Sequence, residues 1–149
     1  MPDAPPKVLV VEDDRMNSYF FELTLQRKGR LATTATDNVD DILRLARARE
    51  VDLIVLDVTL ANSQYQGRNV DGVEIARLLK NDPTTRSIPI ILATAHALKG
   101  DRENLLRESG AEDYVSKPVT DPQQFIDKVK SLLRAAGKIL PPPPSSTSG

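Results

Sequence analysis

The chain has no cysteine, no tryptophan and a single histidine, His96. Without thiols, a disulfide scaffold, a thiolate zinc cluster and a cysteine nucleophile are all excluded. One histidine rules out any site that needs two imidazole ligands and leaves His96 as the sole candidate for a histidine-based triad. Aromatic residues are scarce, at 4%. An excess of one charge is missing too. Twenty Lys and Arg face 21 Asp and Glu, for a net charge of −1. A protein that binds nucleic acid by neutralising phosphates is usually basic, so direct nucleic-acid binding is not expected. No apolar run approaches the roughly 20 residues that cross a bilayer. The opening Met1-Pro2-Asp3-Ala4-Pro5-Pro6 lacks the positive n-region of a signal peptide. Pro2 excludes N-myristoylation. The expected compartment is the cytoplasm, with no membrane partner.

What remains is 149 residues, 40% hydrophobic and 28% charged, the profile of one soluble globular domain with room for a core. Its ends differ in composition from its middle. Residues 1–6 are expected to be a disordered segment, and 137–149, which finish in a run of Pro, Ser and Gly, a flexible tail and inert linker. There is no internal repeat. Between the ends, apolar runs alternate with amphipathic stretches. Strands are expected at 7–11, 31–35, 53–56, 88–93 and 113–116. Helices are expected at 17–28, 39–49, 72–81, 99–109 and around 125–133, the last started by Asp121-Pro122. In the first helix Tyr19, Phe20, Leu23 and Leu25 read as the apolar set. In the second, Ile42, Leu43, Leu45 and Ala46 oppose Arg44, Arg47 and Arg49, which read as a wet face. Five βα units with continuous apolar strands imply a parallel sheet buried on both faces, an α/β doubly wound fold. In such sheets ligands sit beyond the carboxyl ends of the strands.

Chemistry-bearing residues stand at those ends. Glu12, Asp13 and Asp14 follow the first strand, and Asp57 the third. Thr94, Ala95 and His96 follow the fourth, and Lys117-Pro118 the fifth. If the first and third strands are neighbours, at least three carboxylates converge. Two unit charges about 4 Å apart repel by about 4 kcal/mol at an effective dielectric of about 20, and one lysine cannot offset three acids. Either one acid is protonated or a cation sits between them. Hard oxygen donors point to Mg²⁺, with Mn²⁺ as substitute. Taken singly these signals have plain alternatives: Asp14 as a helix N-cap, Lys117-Pro118 as a turn, Thr94 as a capping hydroxyl.

The stretches Val10-Val11-Glu12-Asp13-Asp14, Asp52-Leu53-Ile54-Val55-Leu56-Asp57, Pro89-Ile90-Ile91-Leu92-Ala93-Thr94-Ala95 and Asp113-Tyr114-Val115-Ser116-Lys117-Pro118 together resemble the response-regulator receiver domain of two-component phosphorelay signalling, of the stand-alone type. The resemblance covers about residues 7–136. It implies a flavodoxin-like (βα)5 fold with strand order 2-1-3-4-5. It implies that Asp57 is the phosphoacceptor. Mg²⁺ would be held by Glu12, Asp13, Asp57 and the backbone carbonyl of Thr59. Thr94, Ala95 and Lys117 would bind the phosphoryl group, and Tyr114 would be the aromatic that changes rotamer on activation. His96 would tune the phosphoryl lifetime, against a plain reading as a solvated side chain, and Tyr114 has its own plain reading as a half-buried strand aromatic. The implied partners are a histidine kinase or histidine phosphotransfer protein and an unknown downstream protein. The implied response is a change in the surface formed by the fourth helix, fifth strand and fifth helix. The expected state is a monomer or weak homodimer. With no foldable segment after about residue 136, output runs through protein contact or through a domain beyond this chain.

The sequence departs from the family pattern in one region. Ala61 stands where the family usually has Pro, and Asp71-Gly72 arrives about seven residues late, after a polar stretch at 62–70. That stretch reads as a tolerated surface loop or, alternatively, as a partner-contacting element. Two other function classes stay open. A phosphohydrolase of the haloacid-dehalogenase type also uses an Asp nucleophile, but it wants a second Asp two residues on, where Thr59 stands. A nucleotide-binding module would need a Gly-x-Gly-x-x-Gly or P-loop motif, and neither occurs.

Overall fold

The computed structural model describes residues 5–60, 63–95 and 101–140. The elements run β1 (Lys7–Val11), α1 (Arg15–Arg27), β2 (Ala32–Ala35), α2 (Val39–Arg47), β3 (Leu53–Asp57), β4 (Gln64–Tyr65), β5 (Arg68–Asn69), α3 (Gly72–Lys80), β6 (Ile90–Thr94), α4 (Asp101–Ser109), β7 (Asp113–Ser116) and α5 (Pro122–Ala135). Five strands form one parallel sheet in the order β2-β1-β3-β6-β7. The expected α/β doubly wound fold is therefore the observed one, β6 and β7 being the fourth and fifth strands of the main sheet.

The strand sequences explain the layering. Side chains alternate across a strand, and both faces here are apolar. Leu9 and Val11, Ile54 and Leu56, and Ile90 and Leu92 point to one face, against Ile42 and Ala46 of α2 and Ile75 and Leu79 of α3. Val8 and Val10, Leu53 and Val55, and Ile91 and Ala93 point to the other, against Phe21 and Leu25 of α1 and Phe125, Ile126 and Val129 of α5. Caps set the helix starts. Asp14 accepts from the Met16 and Asn17 amides, Asn38 from Asp41, and Asp121 from Gln124 ahead of Pro122. Asp71 and Glu74 close a reciprocal capping box on α3. Pro6 is buried and its carbonyl accepts from the Ala32 amide; at the other end Leu140 packs on the α1/α5 core and Lys138 pairs with Asp52 at 3.1 Å.

Two sequence expectations need correction. Helix α1 starts at Arg15, two residues before the expected Asn17, because Asp14 caps it. Its buried face carries Phe21, Thr24 and Leu25, while Tyr19 and Phe20 are exposed. Apolar residues run nearly all round this helix, so periodicity could not choose the phase. Contact with β1, β2 and α5 chose it. Within the polar stretch, residues 64–69 form a short surface hairpin. Gln66 and Gly67, both with positive φ (52° and 83°), turn the chain between β4 and β5 in a type I′ hairpin. Ser63 is buried and its hydroxyl donates to the Asp37 carbonyl at 2.6 Å, Val70 sits in the core, and Arg68 pairs with Glu74 at 2.8 Å. The insertion is pinned at both ends beside the carboxyl edge of the sheet. Ala61, Asn62 and His96 lie outside the described residues, as does the segment 141–149.

Candidate functional site

Sheet order brings the strand-end residues together. Because β1 and β3 are neighbours with Val11 opposite Leu56, Glu12 emerges beside Asp57, the last residue of β3. Because β3 also pairs with β6, and β6 with β7, Thr94 and Lys117 arrive from the other side. Carboxylate oxygens of Glu12, Asp13 and Asp57 lie within 4.8 Å of one another. Asp57 and Glu12 are buried, at 2% and 7% exposure. Lys117 reaches back across the sheet edge and pairs with Asp57 Oδ1 at 3.0 Å and with Glu12 Oε1 at 3.1 Å. The Lys117 amide donates to the Thr94 carbonyl at 2.9 Å, which ties the β7 loop to the end of β6. Thr94 is buried and Ala95 exposed. The Thr59 amide donates to Asp57 Oδ1 at 3.2 Å, fixing this carboxylate against its own loop.

Among the described residues of this cluster, three carboxylates face the Lys117 ammonium. Glu12 responds: burial, then repulsion from Asp57, raises its pKa, against the pull of Lys117 and of the Asp14 amide. Burial works against the Lys117 ammonium, but the hydrogen bond and charge of Asp57, followed by those of Glu12, outweigh it, and the net shift is upward. Lys117 therefore stays charged across the physiological range. An excess of negative charge presented by hard oxygen donors suits a small divalent cation.

Backbone packing also shapes the site. Gly72, first residue of α3, lies against the end of β3, and its amide donates to the Val58 carbonyl at 2.9 Å. A Cβ at this position would overlap the Asp57 carbonyl oxygen and stand 2.8 Å from Val58 Cα. The late Asp71-Gly72 thus returns the chain to the β3 end after the hairpin. We expect Gly72→Ala to destabilise the fold by about 1–3 kcal/mol, in the range of forced overpacking, and to displace the backbone at Asp57. Thermal denaturation checks the first effect, and a wild-type melting temperature would refute it.

Residues 8–130 match the family model of the response regulator receiver domain. The chain is a member of that family. The polar-differentiation response regulator DivK of Brucella anthropi is 39% identical over 129 residues, covering 87% of this chain and 97% of the relative. DivK of Brucella ovis is 38% identical over 126 residues, covering 85% and 94%. A putative response regulator of Chloroflexus aurantiacus superposes with a TM-score of 0.74 at 26% identity, covering 87% of this chain and 98% of that one. The receiver domain of a sensor histidine kinase from Pseudomonas aeruginosa, solved with a magnesium ion coordinated in its active-site cleft, superposes with a TM-score of 0.69 at 30% identity, covering 90% and 99%.

In this receiver the expected residues Glu12, Asp13, Asp57, Thr59, Thr94, Ala95 and Lys117 gather at one edge. Asp14 has the plainer role, as the α1 cap. Tyr114 stands on β7 opposite Leu92, half-buried. The wet-face reading of α2 holds for Arg44 and Arg47, which are exposed and pair with Asp41 and Asp82; Arg49 lies past the end of α2, with φ 59°, and bonds Ser87. Sequence reasoning did not single out Ser63 or Lys128, and it gave Gly72 no structural role. The Asp-Gly pair was the only available signal for Gly72. Nothing in the pattern marked the other two.

Proposed function

We propose that this receiver accepts a phosphoryl group on Asp57 from a histidine kinase or a histidine phosphotransfer protein and signals to a downstream protein by contact. The convergence of the Glu12, Asp13 and Asp57 carboxylates, with Lys117 bridging two of them, carries this reading. An Asp57 oxygen forms the new O–P bond while the donor's N–P bond breaks. The electron pair leaves with the imidazole, which takes a proton from solvent. A carboxylate approaching an anionic phosphoryl group meets repulsion, and Lys117 offsets part of it. Glu12, Asp13, Asp57 and the Thr59 backbone carbonyl would hold Mg²⁺, with Mn²⁺ as substitute, and a cation there would supply charge neutralisation for the phosphoryl oxygens. The Thr94 hydroxyl, the Ala95 backbone amide and Lys117 receive the phosphoryl oxygens, and His96 tunes how long the group survives. Tyr114 and the α4–β7–α5 surface carry the response. Chemistry is limited to the protein's own phosphorylation and dephosphorylation. The receiver domain spans 7–136, with Pro6, Lys138 and Leu140 packed against it, in a cytoplasmic monomer or weak homodimer. Incubation with acetyl phosphate and Mg²⁺ should add one phosphoryl group to the intact mass. Sustained turnover of a phosphate ester with no mass gain would overturn the proposal in favour of a hydrolase.

The two acids after β1 should differ. Both Glu12 oxygens are engaged, Oε1 by Lys117 and Oε2 by the Asp14 amide at 3.2 Å. We expect Asp13→Ala to weaken Mg²⁺ binding about tenfold or more, equivalent to about 1.4 kcal/mol, and Glu12→Ala to weaken it less. Saturating Mg²⁺ about tenfold above Kd stabilises a folded protein by about 1.4 kcal/mol, so thermal shift against metal concentration reads both variants. Wild-type affinity in both would refute the site.

A further inference from the structure

We propose that Lys128 of α5 is a positioning residue that holds the Tyr114 ring in its unphosphorylated orientation and so sets how readily this receiver switches. The proposal rests on the reading of Tyr114 as the responding aromatic. Three contacts converge on the Lys128 ammonium. It lies 4.7 Å from the centre of the Tyr114 ring, 2.8 Å from the Tyr114 carbonyl oxygen and 3.4 Å from Asp113 Oδ1. Asp113 Oδ1 also accepts from the Tyr114 amide at 2.8 Å. One cation on α5 is therefore bonded to the β7 backbone, to a β7 carboxylate and to the face of a β7 ring. At 24% exposure the side chain is largely withdrawn from water, where a cation over an aromatic face counts for more.

The ring stands where such a latch matters. β7 is the edge strand, and Tyr114 pairs in register with Leu92 of β6, two residues before Thr94. Leu92 and Thr94 share a sheet face, as do Tyr114 and Ser116 across from them. Movement of the Thr94 side chain towards a phosphoryl group is thus felt on the face that carries the ring. The ring packs on the α2/α3/α4 core, whereas Lys128 comes from α5, on the opposite face of the sheet. A cavity of about 280 Å³ between β7 and α5 is lined by Tyr114, Ser116, Asp121, Gln124 and Lys128. When the ring turns towards Thr94, Lys128 loses the ring face but keeps the carbonyl and the carboxylate. Only the ring contact separates the two states, so it biases the unphosphorylated one.

A cation–π contact of this exposure favours one state by about two- to fivefold. Beryllofluoride binds at Asp57 and favours the activated state, so removing the latch should raise its apparent affinity by that factor. The test uses the full chain with ring-labelled tyrosine, as wild type, Lys128→Met and Lys128→Arg. Methionine keeps the apolar stem and removes the charge, and arginine keeps a cation over the ring. We expect the Lys128→Met Tyr114 ring signal, without ligand, to lie displaced towards the wild-type beryllofluoride position, with tighter beryllofluoride binding, and Lys128→Arg to match wild type. A Lys128→Met variant with wild-type ring signal and affinity would overturn the latch while leaving the switch intact. Arginine behaving like methionine would show that the charge is not the agent. A wild-type Tyr114 signal that ignores beryllofluoride would overturn the switch reading and the latch together.

Discussion

Asp57→Asn will take up no phosphoryl group from acetyl phosphate and bind no beryllofluoride at any Mg²⁺ concentration. The amide nitrogen has no lone pair to offer phosphorus, and the amide oxygen is a far weaker nucleophile than a carboxylate. Asp57 is also the only carboxylate of the cluster that sits within a strand end, with its oxygen held by the Thr59 amide and the Lys117 ammonium. The variant should fold at least as well as wild type. Among Glu12, Asp13 and Asp57 it removes one of three mutually repelling charges, each such pair costing on the order of 4 kcal/mol before the offset from Lys117. Removing the Asp57 charge also removes the Coulomb contribution that raises Glu12, so the Glu12 pKa should fall towards its ordinary value. Two measurements follow. Intact mass reports labelling, and thermal denaturation with and without Mg²⁺ reports the metal's contribution, which should shrink in the variant. Undiminished labelling would remove Asp57 from the acceptor role. Mg²⁺ stabilisation equal to wild type would remove it from the metal site.

Lys117→Ala should separate phosphorylation from response. The ammonium bridges Asp57 and Glu12 in the unmodified protein. Phosphorylation takes the Asp57 charge from about −1 towards −2, so the same ammonium is drawn more strongly to the new group. The Lys117 amide is hydrogen-bonded to the Thr94 carbonyl, so a shift of Lys117 pulls on the end of β6. Without the side chain, Asp57 still accepts a phosphoryl group, more slowly, but the loop after β7 is no longer drawn in. Breaking a buried pair by removing one partner costs about 3–5 kcal/mol, so the variant should be markedly less stable without divalent metal, and Mg²⁺ should recover part of the loss. Thr94→Ala should uncouple in the same sense, since it removes the hydroxyl proposed to follow the phosphoryl group. Amide NMR with beryllofluoride and Mg²⁺ reads both variants. A full wild-type shift pattern across residues 97–130 in Lys117→Ala would refute the coupling even with Asp57 correctly assigned.

The sequence by itself determined the fold class and which residues follow each strand. Apolar runs such as Leu53–Leu56 and Ile90–Ala93, each without a polar interruption, can be buried only on both faces, and their alternation with helical stretches leaves a parallel sheet. Acids and a lysine immediately after those runs are then at the carboxyl edge, because a strand end is a position in the chain as well as in space. Tertiary structure decided which of them touch and what supports them. Lys117 meets Glu12 across 105 residues, a contact that follows from strand order and not from spacing. Which face of α1 is buried depended on its neighbours, since apolar residues circle the helix and Phe21, not Tyr19 or Phe20, meets Phe125. The 62–70 stretch is polar and gives no periodic signal, yet its hairpin is held by one buried serine and a turn with two positive φ values. Gly72 is needed because another backbone passes within contact distance of its Cα, and Lys128 reaches Tyr114 because α5 crosses behind an edge strand. Local pattern encodes burial and strand ends. Pairwise contact between distant polar groups arises only when the sheet is assembled, because only then do charges far apart in the chain share one low-dielectric edge.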